Sequence, residues 1–318
     1  MKRIVALLLA LVLCVSFSAC GEDATKPNQN GQDKNQNIGG AEVMKPTAGT
    51  TAPEKEIPSL SEPLTGSLGA NITFVLDTEG TLTISGEGQI QSFEYGDGVV
   101  NTPWFEVREC IRNVVIEEGI TGISAHTFYK CFNMESIVIP STVRSIGAVA
   151  FCDCKALKEI VIPEGVTMIG NTTFQGCKSL TRVVLPESLT SIAQNAFLDS
   201  GIVSIEIPDN VNFLGRYVFN NCASLKEVKL PASIDEIPVN AFSVCSSLER
   251  VEIPEGVTDL KEKAFSNCTA LKEIVLPASV TFIGTDVFKN CENLTIIGQA
   301  GSYAETYAQQ NGFAFRAQ

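Results

Sequence analysis

The sequence contains few of the residues from which most binding and catalytic sites are built. Its 318 residues include one histidine, one tryptophan and 23 Lys and Arg against 36 Asp and Glu, which gives a formal net charge of −13. Nucleic-acid binding needs a basic footprint, and adsorption to anionic lipid needs Lys/Arg clusters. The acidic balance therefore disfavours both kinds of partner, and it helps to keep an extended surface in solution.

The sequence also lacks recognisable catalytic and metal-binding motifs. No G-x-S-x-G, H-E-x-x-H or phosphate-binding glycine loop occurs in a suitable context. Cys152-Asp153-Cys154 is the strongest candidate for metal ligation, but Cys152 aligns with a variable repeat position and no paired Cys-x-x-Cys units accompany it. His126 is expected on the solvated surface. We therefore expect no enzyme activity, no metal and no cofactor.

Residues 1–20 are predicted to be an export signal. Lys2 and Arg3 precede the twelve-residue apolar run Ile4–Val15, which is short for a membrane span. The run ends in Phe17-Ser18-Ala19-Cys20, which resembles the lipobox of bacterial lipoproteins, although Phe17 replaces the usual leucine. The resemblance implies lipidation of Cys20 and anchoring to the outer face of the bacterial membrane, at the cell surface. Ordinary signal-peptide cleavage and secretion is the alternative.

Residues 21–61 contain no Phe, Tyr or Trp and are rich in Asn, Gln, Lys, Pro, Thr and Gly. Such a composition cannot bury enough apolar surface to become ordered, so we expect a flexible linker. A coil of about 41 residues spans roughly 35 Å root-mean-square, which suits a spacer above a lipid surface. An unstructured ligand-binding arm is the alternative.

Residues 62–110 are predicted to form an N-terminal β cap. Residues 72–76 and 81–84 alternate between apolar and polar side chains, and residues 77–80 supply a turn, so a hairpin is expected. Trp104 and Phe105 follow a glycine-rich loop. They are expected to plug the end of the core that comes next, while an aromatic binding platform is the alternative.

A 23-residue period organises residues 111–294. One phenylalanine column marks eight repeats, and its spacing is 23 except for one step of 22: Phe128, Phe151, Phe174, Phe197, Phe219, Phe242, Phe265 and Phe288. A fixed period of this length is typical of stacked-repeat solenoids. A lone repeat buries too little apolar surface to offset its ordering entropy, so stacking is obligatory.

Within a repeat the pattern predicts two extended pieces and a tight helical turn. Ile160 and Ile162 share one face and Val161 lies on the other, and Pro163 then ends the strand because it lacks an N–H. The residues resemble the BspA-like branch of bacterial leucine-rich-repeat surface proteins. The pattern that carries the resemblance is Ile139-Pro140, Val143, Ile146-Gly147, Ala150-Phe151, Cys154 and Leu157.

This resemblance implies a mostly β repeat solenoid of the leucine-rich-repeat type. It implies a curved right-handed solenoid with a parallel sheet on one face and short helical or 3-10 turns, and a general role in adhesion or partner binding. Pro238 and Lys261 depart from the pattern at the corner glycine, and Ser200 departs at the cysteine. Residues 295–318 are expected to form a C-terminal cap with a short helix over 303–310 and a final strand.

Seven cysteines occupy one repeat column: Cys131, Cys154, Cys177, Cys222, Cys245, Cys268 and Cys291. An exported chain rich in cysteine suggests disulfides, and a stacking distance of about 4.8 Å permits them between neighbours. The identical register favours the other interpretation, a buried column of small apolar thiols.

Two columns are predicted to point outward from the strands. One contains Val115, Val138, Val161 and Val184 and then turns charged at Glu206, Lys229 and Glu252 before Val275; the other includes Glu159 and Arg182. Opposite charges on neighbouring strands are explained by cross-strand pairs that stabilise the ladder. An exposed apolar stripe is typical of interaction sites, although β-propensity alone also favours valine.

The sequence therefore favours a non-enzymatic, lipid-anchored surface protein that binds a protein or glycan partner along its strand face. The candidate partner-binding residues are Val115, Val138, Val161, Val184, Glu159 and Arg182. The alternative is a structural spacer or envelope-assembly protein with no external ligand.

Overall fold

The computed structural model describes residues 58–318. The predicted signal peptide, the lipidation site Cys20 and nearly all of the predicted linker lie outside these residues, so they stay predictions, as do the domain boundaries. Strands are numbered β1–β24 in chain order. Among the described residues, no helix combines the length and the apolar character that crossing a bilayer requires.

Each repeat contributes one three- or four-residue strand to a first parallel ladder. Neighbouring strands are one repeat apart, so Glu159 registers with Arg182 and Val161 with Val184. Alternation places Ile160 in the core and Val161 outside. The strands of this ladder are β7 (Asn113–Ile116), β9 (Ser136–Val138), β11 (Glu159–Val161), β13 (Arg182–Val184), β15 (Ser204–Glu206), β17 (Glu227–Lys229), β19 (Arg250–Glu252), β21 (Glu273–Val275) and β23 (Thr295–Gly298).

A second parallel ladder follows the proline of each repeat. Its strands are mostly two residues long, with one side chain exposed and one buried, as at Met168 and Ile169. The sequence predicts one sheet face, whereas the structure has two. The strands are β8 (Ile120–Ile123), β10 (Ser145–Ile146), β12 (Met168–Ile169), β14 (Ser191–Ile192), β16 (Phe213–Leu214), β18 (Glu236–Ile237), β20 (Asp259–Leu260) and β22 (Phe282–Ile283).

The third side of each repeat, where the sequence predicts short helical or 3-10 turns, is a pair of tight turns without regular helix. The N–H groups of Val149, Phe151 and Asp153 donate to carbonyls of the next repeat at 3.0, 3.0 and 2.7 Å, so they are not used for helical bonds within the repeat. Val149 and Asp153 have φ of 63° and 61°. The left-handed conformation directs alternate N–H groups of the turns toward the next repeat. We call the three hydrogen bonds that join the turns of neighbouring repeats the turn ladder.

The core is a stack of identical side chains. Successive phenylalanine rings lie parallel with centroids 5.3–6.0 Å apart from Phe128 to Phe288. The aligned cysteines, leucines, isoleucines and valines surround this stack and are also buried. The columns that the sequence repeats are therefore core columns, as predicted.

The N-terminal cap is an antiparallel hairpin that continues the first ladder. It consists of β1 (Leu64–Ser67), β2 (Ile72–Leu76) and β3 (Thr81–Gly86), and β3 pairs parallel with β7. Beyond it, β4 (Gly88–Gln89) joins the second ladder, β5 (Tyr95–Gly96) and β6 (Val99–Val100) form a small ribbon, and Phe105–Cys110 is a 3-10 helix. We call the outward surface of β1–β3 and of the first ladder the strand face.

The C-terminal cap extends the strand face by one strand. Helix α1 (Tyr303–Asn311) begins after Ser302, whose hydroxyl accepts from the Glu305 N–H, and ends at Gly312 with φ of 75°. Strand β24 (Ala314–Ala317) then pairs parallel with β23. The sequence predicts this order of helix and strand.

Candidate interaction face

The four predicted valines lie on the outward side of consecutive strands of the first ladder. Val138 and Val161 are 59% and 55% exposed, and Val115 and Val184 at either side are half-buried. The fold positions them because each strand directs its central residue toward the core and the flanking side chains outside. An exposed large apolar side chain on two neighbouring strands forms a patch rather than an isolated contact with water.

The apolar row also extends into the hairpin, which the sequence reasoning missed. Val115 registers with Thr83, Thr83 with Val75, and Val75 with Thr65. Val75 is 44% exposed. The row of β-branched residues that we call the valine row therefore reads Thr65, Val75, Thr83, Val115, Val138, Val161 and Val184.

Val275 does not continue this row at the C-terminal end, contrary to the prediction. It is buried at 7% exposure and registers with Ile297, which is also buried. The Arg316 side chain on β24 reaches back across β23 to Glu273, with 2.8 Å between Nη2 and Oε1. The C-terminal cap thus covers this end of the strand face.

Glu159 and Arg182, the two charged candidates, pair with each other. Their Oε2 and Nη1 atoms lie 3.5 Å apart and both side chains are 64% exposed. Such a pair contributes roughly 0–1 kcal/mol to stability. The same arrangement recurs at Glu206–Lys229 and at Arg250–Glu273, so the charges of the face are largely paired between repeats.

The valine row and the charged pairs divide the strand face in two. Outward positions of β1–β3 carry no charge, whereas β15, β17 and β19 carry Glu206, Lys229 and Glu252 at the row position. At the row position the N-terminal half is therefore uncharged and β-branched, with the Glu159–Arg182 pair beside it, and the C-terminal half is charged. A partner of apolar character is expected to contact the first half.

An aromatic cluster lies between the β5–β6 ribbon and the first repeat. The Tyr95 ring stacks on the His126 ring at 5.3 Å and 9°, and Tyr129 meets both edge-on. His126 is half-buried and its Nδ1 is buried without a hydrogen-bond partner among the described residues, so the expectation of a solvated histidine is wrong. Burial lowers the pKa of this imidazole.

Trp104 is a core residue and not a binding platform. Its side chain is 1% exposed, its ring stacks on Phe128 at 6.2 Å, and Phe74 packs edge-on at 5.3 Å. The prediction that it plugs the end of the core is confirmed.

The cysteine column consists of thiols that donate hydrogen bonds. Six of them donate from Sγ to the phenylalanine carbonyl of the preceding repeat at 3.1–3.3 Å, as Cys177 does to Phe151. No disulfide joins the nine cysteines of residues 58–318. Burial raises the pKa of Cys131 and of Cys222 to about 12. These thiols therefore support the core and are poor nucleophiles.

The described residues offer no deep ligand pocket. A cleft of about 280 Å³ lies beside Thr78, Gly80 and Arg112, which is below the usual range for small-molecule sites. Within residues 58–318 no three His, Cys, Asp or Glu side chains come together as metal ligands. The geometry thus favours surface contact over a small-molecule or metal site.

Comparison with known proteins identifies the family. The model of the BspA type leucine rich repeat region, in six copies, matches residues 100–201 and 167–295. The chain belongs to this family. Its members and the repeat solenoid are typically non-enzymatic. No curated protein matches the chain.

Several solved structures resemble the chain at low identity. A leucine-rich repeat protein from Bacteroides ovatus is 24% identical, over 78% of this chain and 76% of that one, with a TM-score of 0.48. A leucine rich cell surface protein from Faecalibacterium prausnitzii is 22% identical over 80% and 98%, with a TM-score of 0.33. The leucine rich repeat protein of T. pallidum is 22% identical over 74% and 91%, with a TM-score of 0.45.

Proposed function

We propose that this protein is a non-catalytic, lipid-anchored protein of the bacterial cell surface that binds a partner through the N-terminal half of its strand face. The observation that carries the proposal is the valine row, in which Val138 and Val161 stand more than half exposed on neighbouring strands. The apolar sequence before Cys20 and the leucine-rich-repeat family support the surface location.

The chemistry of the row indicates what kind of partner it fits. A flat surface of valine and threonine offers van der Waals contact and a few hydroxyl groups but no charge, so it favours the apolar face of a protein or the ring carbons of a glycan. Because the chain carries a net negative charge, a strongly acidic partner is disfavoured. We favour a protein partner, since a continuous apolar row buries area most effectively against another apolar row.

The test compares two double variants that each exchange exposed apolar side chains for one acidic and one basic residue. Val138→Glu/Val161→Lys reproduces on the strand face the order that Glu206 and Lys229 already occupy, so the fold accepts these residues there. Met168→Glu/Phe213→Lys is the matched control, because these side chains are 52% and 54% exposed on the second ladder.

Binding is measured by biolayer interferometry against envelope proteins, matrix proteins and glycans, using the chain without residues 1–20. We expect a ligand whose affinity falls at least tenfold with the strand-face variant and stays within twofold with the control. Absence of any ligand, or equal loss in both variants, contradicts the proposal.

The anchor is tested separately by changing Cys20→Ser and following the protein between membrane and medium. We expect the wild-type chain to partition into detergent with a diacylglyceryl mass increment and the variant to lose it. Wild-type protein that is released with an unmodified N-terminus supports secretion instead.

A spacer without a ligand is the second candidate, and the paired charges favour it. Glu159–Arg182, Glu206–Lys229 and Arg250–Glu273 satisfy one another across repeats, so much of the strand face is already accounted for by its own stability. The binding screen separates the two candidates, because a spacer leaves both double variants without effect.

A further inference from the structure

Strand β1 is the outermost strand at the N-terminal end of the strand face. The sheet begins in the order β1, β2, β3, β7, β9, so one edge of β1 has no neighbouring strand among residues 58–318. Its residues are correspondingly exposed, with only Leu64 half-buried. An unpaired edge presents backbone donors and acceptors that can pair with another strand.

The direction of these backbone groups follows from the hairpin register. The Leu68 N–H donates to the Ile72 carbonyl at 2.8 Å, and Gly66 registers with Phe74. Antiparallel pairs alternate, so Leu64, Gly66 and Leu68 bond toward β2. The N–H and C=O groups of Thr65 and Ser67 therefore point away from β2, toward the open edge.

This edge lacks the protection that edge strands usually carry. Leu64–Ser67 contains no charged residue, whereas the opposite end of the sheet is guarded by Arg316 on β24. Pro63 immediately before β1 lacks an N–H and so limits any pairing to the stretch that follows it. The open edge is thus a short segment of defined length.

We propose that two copies of this chain pair antiparallel along β1, with the two-fold axis at Gly66. In that register Thr65 faces Ser67 of the second copy, and each such pair exchanges two N–H···O bonds, four in all. Leu64 faces Leu68 of the second copy, which covers the half-buried leucine with an apolar partner. Gly66 faces Gly66 of the second copy at the two-fold axis, and the single chain already requires a glycine there because a Cβ would lie 2.6 Å from the Phe74 ring.

The distribution of charge favours contact between two copies at β1 over contact elsewhere on their surfaces. Residues 58–318 carry 30 Asp and Glu against 17 Lys and Arg, so two copies repel each other over most of their surface. The outward positions of β1–β3 are Thr65, Ser67, Thr73, Val75, Thr81, Thr83 and Ser85, none of them charged. Neither copy carries a charged residue in the paired stretch Leu64–Leu68, so no like charges meet there.

The pairing would join the two strand faces into one sheet. The valine row of each copy starts at Thr65, beside the two-fold axis, and runs outward to Val184. The contact is small compared with the 1,200–2,000 Å² of a standard interface, so the association is weak and depends on concentration.

The test is sedimentation equilibrium of the chain without residues 1–20, at concentrations up to about 1 mM. We expect the weight-average mass of the wild type to rise with concentration toward twice that of one chain. Thr65→Pro removes an N–H that the single chain does not use, in a strand where proline's φ is tolerated, and should abolish the rise. Thr65→Lys places a charge at the edge and should do the same.

Thr73→Lys is the matched control, because Thr73 lies on the same outward surface but on the interior strand β2. We expect it to dimerise as the wild type does, and circular dichroism verifies that each variant is folded. A wild type that stays monomeric, a Thr65→Pro variant that still dimerises, or equal loss with Thr73→Lys overturns the proposal. The last outcome indicates stacking of whole faces instead.

Discussion

The indole N–H of Trp104 donates a hydrogen bond to the carbonyl oxygen of Thr127 at 3.1 Å. In the later steps of the turn ladder the equivalent carbonyl accepts from the phenylalanine N–H of the preceding repeat, as when Phe128 donates to Ala150 at 2.9 Å. The Trp104 ring also stacks on Phe128. The Trp104 side chain therefore takes the place of both the phenylalanine ring and the backbone N–H donor that a preceding repeat would provide.

Replacing this tryptophan separates its two contributions. Trp104→Phe keeps a stacked ring and leaves the buried Thr127 carbonyl without its donor, so we expect a loss of about 1–3 kcal/mol in the free energy of unfolding. Trp104→Ala removes the ring as well and should cost about 3–5 kcal/mol. Urea denaturation measures both, and Val99→Ala on the exposed ribbon should stay within about 0.5 kcal/mol. A Trp104→Phe variant as stable as the wild type contradicts the hydrogen-bond role, and equal losses in the two tryptophan variants contradict the role of the ring.

The thiol column predicts a protein whose cysteines react only after unfolding. Burial raises the pKa values of Cys154, Cys177 and Cys245 well above that of a free thiol, so almost no thiolate forms at neutral pH. We expect iodoacetamide to modify none of this column in the native protein and all of it in guanidinium, by intact mass. Six or more thiols blocked under denaturing, non-reducing conditions would establish disulfides in its place.

One left-handed position of the turn ladder carries a β-branched residue, Val244, that is poorly suited to it. Val244 has φ of 64° and occupies a column in which Asn221, Asn267 and Asn290 stand in the same conformation. The left-handed region costs a β-branched residue on the order of 1–2 kcal/mol, and asparagine tolerates it. Val244→Asn is therefore expected to stabilise the protein by about 1 kcal/mol. The reverse change, Asn267→Val, should destabilise it by a similar amount in the same denaturation experiment.

His126 predicts a loss of stability on acidification. Burial lowers its pKa in the folded state, so the unfolded chain binds the proton first as the pH falls through the ordinary value of 6.5. The free energy of unfolding should therefore decrease between pH 7.5 and 5.5. His126→Asn keeps a residue suited to φ of 62° and should flatten this dependence. An unchanged slope would assign the effect to another group.

The repeat, its buried columns and both caps could be predicted from the sequence. The repeat and its columns follow from a fixed residue spacing, and the caps follow from local strand, turn and helix patterns. The sequence was not sufficient for the turn ladder, because the Asn and Asp residues that favour the left-handed region at many of these positions alternate with residues such as Val149 and Lys130, which have no such preference. Val75 was missed for another reason. Its place in the valine row depends on how the hairpin registers with β7, and register is a property of tertiary pairing.

The candidate face shows the same limit. Val138 and Val161 were found because they recur at one repeat position, whereas Val275 occupies that position and is buried. What distinguishes them is the C-terminal cap, whose Arg316 crosses to Glu273. A repeat position thus predicts orientation, and only the neighbouring strands decide whether an outward side chain meets solvent.

The turn ladder has a consequence for how this protein can change its length. Each step from one repeat to the next makes the same three backbone hydrogen bonds and the same phenylalanine stack, and neither cap contacts more than the repeats at its own end. A unit of 23 residues can therefore be duplicated or lost by recombination without redesigning its neighbours. Evolution can therefore lengthen or shorten the strand face by whole repeats, while the Trp104 cap and helix α1 remain unchanged.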